Sequence, residues 1–134
     1  KAVLAGHARA TEVRALIEAV QHNLVALMGE VACAESDASR YAASSFIKVA
    51  AADIARLDEA VATLESRGLR FDGWATPGAN PLSAALDVAR TVCRRAERRL
   101  TALPRTGRHV RPELRQFINR LADLLWLLAR EAEQ

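Results

Sequence analysis

The chain has 134 residues, one domain's worth and enough for a single hydrophobic core. About half of it (51%) is hydrophobic but only 4% is aromatic, and alanine, leucine, arginine and glutamate dominate, which favours helices and leaves little for strands. The net charge of +3 hides an uneven split: residues 1–80 carry 8 basic and 10 acidic side chains, and residues 81–134 carry 11 arginines and 6 acids. No apolar run is long enough to span a membrane and no secretory signal is present, so a soluble, cytoplasmic, reducing setting is expected.

Residues 1–9 (KAVLAGHAR) read as the tail of a helix whose beginning is absent. Thr11 is the expected N-cap of a first long helix, about Glu12 to Ala32. Its stripe of Val13, Leu16, Ile17, Val20, Leu24, Leu27 and Val31 has helical spacing. Ala34 to Lys48, rich in serine and alanine and without a sustained period, reads as a mobile loop. Ile54, Leu57, Val61 and Leu64 define the next helix, which Gly68 ends in a left-handed conformation. A loop from Leu69 to Asn80 carries Trp74, whose ring is expected to cover another subunit, the bundle end or a flat ligand.

Asn80 as N-cap and Pro81 in the first turn start the helix on which the chain turns. On its wheel Leu82, Ala85, Leu86, Ala89, Val92, Cys93, Ala96 and Leu100 form a core stripe. Ser83, Asp87, Arg90, Arg94, Glu97 and Arg98 form a charged arc beside it. Residues 101–112 are a basic connector, and a last helix runs from about Glu113 to Ala132. Phe117, Leu121, Leu124, Leu125 and Leu128 face inward there, while Asn119, Asp123, Trp126 and Arg130 make a second stripe. The expected fold is all-α, an up-and-down helical bundle in one domain over residues 1–134.

Three arginines on one face suit a polyphosphate or several carboxylates, since guanidinium forks match those oxygens. Glu97 can orient them, pair with them, or help hold a hydrated cation that bridges phosphates. The plainer alternative is a set of solvated i, i+4 pairs, and periodicity does not choose between them. Cys33 and Cys93 lie far apart without metal spacing, and Cys93 falls on the buried stripe as an ordinary core thiol. His7, His22 and His109 form no constellation, and no Walker phosphate loop or dinucleotide fingerprint is present.

The wording ARTVCRRAERRL (Ala89–Leu100) followed by FINRLADLLWLLAR (Phe117–Arg130) resembles the PduO-type ATP:cob(I)alamin adenosyltransferases, whose signatures read approximately RTVCRRAER and LNRLSDLLF. ATPGANPLSAAL stands in place of the LPGG-type loop, and EAVQHNLVALMGEVA is similar to the family's IQHDLFDLGGELA helix. The resemblance implies a five-helix, ferritin-like bundle with its first helix largely missing here, so an N-terminally incomplete domain, and a homotrimer with sites between subunits. It implies transfer of the 5′-deoxyadenosyl group of ATP to the cobalt of a reduced corrinoid, with magnesium as the ion and triphosphate released.

Carried across, Arg94, Glu97 and Asn119 are the catalytic and ATP-site residues, with Arg90 at the ATP site and subunit contact. Glu97 is the magnesium carboxylate, and Arg95, Arg98 and Asp123 are supporting or interface residues. Trp74 and Trp126 stand where the family has phenylalanines, as the wall on the lower face of the corrinoid. A mutase or reductase dependent on the same cofactor is an implied partner; a membrane or nucleic acid is not. The alternative is a non-catalytic corrinoid-binding escort protein with the same bundle.

Overall fold

A computed structural model describes residues 9–70 and 73–134 of the chain. Five α-helices follow one another: α1 (Ala10–Ala32), α2 (Ala38–Ala43), α3 (Ala51–Glu65), α4 (Pro81–Ala102) and α5 (Pro112–Glu131), with short 3-10 turns at Glu35–Asp37 and Leu103–Thr106. No strand occurs among the described residues. The helical tail expected over residues 1–9 lies almost wholly outside them.

Cross-links at the two ends give the topology. At one end Arg111, before α5, donates to both carboxylate oxygens of Glu30 on α1 (2.6 and 2.7 Å) and to the Val49 carbonyl ahead of α3 (3.0 Å). At the other end Glu131 of α5 receives Arg9 from before α1 (2.8 Å) and Arg67 from after α3 (3.0 Å). Asn80, ahead of α4, donates to the Ala132 carbonyl there (2.6 Å). Helices α1 and α4 therefore run one way and α3 and α5 the other, the up-and-down arrangement that short connections favour.

Helix α5 is the axis of the core. Phe117, Leu114, Leu124 and Ala129 are at most 1% exposed, and Leu57 and Leu64 of α3 and Leu86 and Leu100 of α4 pack in the same cluster. Burial of this apolar surface is the main favourable term in folding.

Asn80 caps α4 as its sequence suggests: its Oδ1 accepts the Ser83 N–H (2.9 Å), and Ser83 Oγ accepts the Asn80 N–H (3.1 Å). That exchange, with the Ser83 side chain fully buried, removes Ser83 from the charged arc where the wheel put it. Gly68 adopts φ +67 after α3, as expected of a left-handed stop.

Three expectations are corrected. Helix α1 begins at Ala10, so Thr11 lies inside it; Arg9 precedes it with no side-chain cap, and ion pairs from Arg9 to Glu12 and Glu131 hold that end instead. The stretch from Ala34 to Lys48 is not simply a loop, because it holds a 3-10 turn and α2. Neither buries a residue, so no apolar period marks them. On α4 the core stripe is only half covered. Leu86, Cys93 and Leu100 are buried, but Ala85, Ala89 and Val92 are exposed on one wall of an apolar groove of about 470 Å³ between α1 and α4.

Candidate functional site on the α4–α5 face

The packing of α4 on α5 brings their two polar stripes side by side. Glu97 joins them: its Oε2 accepts from Arg94 Nη1 (2.6 Å) and its Oε1 from Asn119 Nδ2 (2.7 Å). Its side chain is largely covered (17% exposed), whereas Arg94 keeps 45% of its surface open. A carboxylate with one hydrogen bond on each oxygen is held in one orientation, and it holds the guanidinium and the amide in turn. The three residues singled out as catalytic thus form one connected cluster.

Arg90 is half-buried one turn before Arg94, and Arg95 and Arg98 are exposed. None of these three makes an ion pair among the described residues, so the charge on this face is not neutralised locally. Asp123 stands apart from the Glu97 cluster and accepts instead from Arg120 (3.2 Å), which also pairs with Asp58 of α3. No group of three or more His, Cys, Asp or Glu side chains placed to hold a metal ion occurs among the described residues. Glu97 offers one carboxylate with a free lone pair on each oxygen, which fits a magnesium ion carried by phosphates and not a protein cage.

Cys93 lies under this face, 6% exposed, with Sγ 3.3 Å from the Ile118 carbonyl. Burial first, and then the Glu97 carboxylate, push its thiol up to about 12, while Arg94 and Arg90 pull the other way. It is an inert structural thiol, as expected of a core cysteine.

The two tryptophans differ. Trp126 is half-buried, packed against the core. Trp74 is fully exposed, so none of the described residues covers its ring. Phe71 and Asp72, just before it, lie outside the described residues.

One feature escaped the sequence. Arg130 is 3% exposed, donates from Nη2 to Asp87 Oδ2 (2.7 Å) and lies 3.1 Å from Glu133. Asp87 falls on the charged arc of α4 and Arg130 on the second stripe of α5, and the sequence did not pair them. The signal was their opposite charge on faces that α4 and α5 turn toward each other.

The family model described as cobalamin adenosyltransferase matches residues 2–132. The chain belongs to the cobalamin adenosyltransferase family. Among similar proteins, the cobalamin adenosyltransferase of Cupriavidus metallidurans is 34% identical over 119 residues, covering 89% of this chain and 59% of that protein. The corrinoid adenosyltransferase of Citrobacter freundii is 34% identical over 125 residues (93% and 68%), and corrinoid adenosyltransferase PduO of Salmonella typhimurium 38% over 120 residues (87% and 33%). The chain thus spans between a third and about two thirds of these relatives. No described helix is long and apolar enough to cross a membrane.

Proposed function

We propose that this domain transfers the 5′-deoxyadenosyl group of ATP to the cobalt of a reduced corrinoid, cob(I)alamin, giving adenosylcobalamin and triphosphate. The observation that carries the proposal is the Arg94–Glu97–Asn119 cluster on one α4–α5 face, beside Arg90 and Arg98, which make no ion pair among the described residues. The cobalt nucleophile attacks C5′, the Co–C bond forms, and the C5′–O bond breaks with its electron pair leaving on the triphosphate. Negative charge grows on that leaving group in the transition state. Guanidiniums fixed in advance stabilise it without having to reorganise.

In this scheme Arg90 and Arg94 bind phosphate oxygens, and Asn119 and Glu97 position the nucleotide and Arg94. Magnesium, held mainly by the phosphates with Glu97 as its protein carboxylate, supplies further charge neutralisation. Trp74 and Trp126 wall the lower face of the corrinoid and keep water and other ligands from cobalt; full exposure of Trp74 in the single chain accords with a ring that waits for such a cover. Arg95, Arg98 and Asp123 support the face or a neighbouring subunit, in a homotrimer whose sites lie between copies.

Anaerobic absorption and EPR of cob(II)alamin with the protein, with and without MgATP, test this. Conversion to a four-coordinate species only with MgATP is the expected result. Corrinoid binding indifferent to ATP would point to the escort protein, and no spectral change would overturn both.

A further inference from the structure

Helix α1 is joined to the bundle differently from the other long helices. Both α3 and α4 lie close along α5, and no helix lies as close to α1. Over the middle of α1, Leu16, Ile17 and Leu24 are only partly covered and line the groove of about 470 Å³ that separates α1 from α4. Toward the far end a second stretch of about 530 Å³ lies between Met28 and Val31 of α1 and Val92 and Leu100 of α4. Met28 and Val92 are both about half exposed there. The core receives Val13, Val20, Ala26 and Leu27 from α1, all of small or middling size.

What fastens α1 is concentrated at its ends. The last carbonyls of a helix have no partner within it. At α1 a side chain from elsewhere supplies one: Arg108 Nη2 donates to the carbonyls of Val31 (2.9 Å), Glu30 (3.4 Å) and Cys33. Arg111 adds its two bonds to the Glu30 carboxylate (2.6 and 2.7 Å) and one to the Val49 carbonyl. Both arginines belong to the connector between α4 and α5, so the segment that joins the core helices also holds α1. At the other end Arg9 donates to both oxygens of Glu131 (2.8 and 3.0 Å).

We propose that α1 is a latched wall of the bundle, which opens as one unit while α3, α4 and α5 stay folded, and that Arg108 and Arg111 are its latch. Opening gives up the latch bonds and a modest apolar area, whereas unfolding the core gives up the packing along α5 as well, so the first costs less. It draws Leu16, Ile17 and Leu24 away from α4 and bares the apolar stripe of that helix. The Glu97–Asn119 and Asp87–Arg130 bonds join α4 to α5 and are kept. The device does not depend on what the α4–α5 face binds.

The test is native-state hydrogen exchange of the unliganded chain at low, rising denaturant. Amides of residues 20–29 in α1 should share one opening with a shallow denaturant dependence. It should be populated at least about tenfold more than the opening that governs residues 121–129 in α5. Glu30→Gln removes the charge that Arg111 grips and should raise the α1 opening about tenfold. Asp87→Asn, which weakens the join of α4 to α5, should quicken the α5 amides and leave those of α1 unchanged, because that join is intact when α1 opens. A single opening shared by α1 and α5 in the unaltered chain would overturn the separate wall. Exchange of α1 unmoved by Glu30→Gln would overturn the latch.

Discussion

Glu97 divides its two oxygens between two helices, and this makes its chemistry separable from its contribution to stability. The Arg94 partner is nearly half exposed, and ion pairs of that kind contribute about 0–1 kcal/mol. Glu97→Gln should therefore leave the melting temperature almost unmoved. It removes the charge that fixes Arg94, and hydrogen bonds to charged groups carry about 1.5–3 kcal/mol, so kcat/KM for ATP should fall by about 10- to 100-fold. Equal losses of activity and stability would mean that Glu97 is only a helix-to-helix strut. Cys93 gives a second test at this scale. Its thiol is raised from 9.0 to about 12 in the folded chain, so the unfolded chain ionises first. The stability tied to it is complete below about pH 9 and lost as pH climbs from about 9 to about 12, at up to about 1.4 kcal/mol per pH unit. Denaturant unfolding at pH 8 and pH 10 should show the loss, and Cys93→Ala should remove that part of it. Cys93 was readable as buried from its place on the stripe; its depth beneath the acidic and basic groups was not.

Between elements, α4 and α5 are joined by the largely buried Asp87–Arg130 ion pair. Removing one member of such a pair leaves the other charge uncompensated, at a cost of about 3–5 kcal/mol, whereas replacing both by apolar groups costs far less. Asp87→Leu alone should lower stability by about 3 kcal/mol, and Asp87→Leu with Arg130→Met by less than the sum of the single changes. Additive losses in that double-mutant cycle would show that Glu133 alone suffices for Arg130. Asn80→Ala removes both an N-cap and the bond to the Ala132 carbonyl, so a loss of about 2 kcal/mol is expected by thermal melting. The Asn80–Pro81 start and the Gly68 stop were legible because cap chemistry is local. Helix α2 was not, since six residues with no buried side chain leave no pattern. Val92 shows the wheel's other limit: it reports which residues share a face, not how far the neighbouring helix reaches to cover them, and Val92 stays 48% exposed.

Across the whole molecule, α1 and the α4–α5 pair enclose an apolar groove, while the arginines of α4 sit on a face that the chain leaves largely unneutralised. The proposed trimer, with sites between copies, predicts a solution mass three times the 14.6 kDa of one chain by light scattering. A monomer that nonetheless turned over MgATP and corrinoid would place the site within one copy. Cluster membership of Arg94, Glu97 and Asn119 came from a motif likeness, and residue spacing alone left it open between a site and solvated pairs. What spacing could not hold was the meeting point at Glu131 to Gln134, where segments far apart in the chain converge through long side chains. Helix ends ordinarily fray, and their amides trade hydrogen for deuterium early. Here the amides of Ala132, Glu133 and Gln134 stay bonded to Leu128, Arg130 and Glu131, and the Arg67 and Asn80 side chains and the Arg70 backbone fasten the same turn. Their exchange should be slow and should quicken in step with that of the amides around Arg70 and Ser83, as one cooperative opening unit. This helix end should open no sooner than the loop it holds.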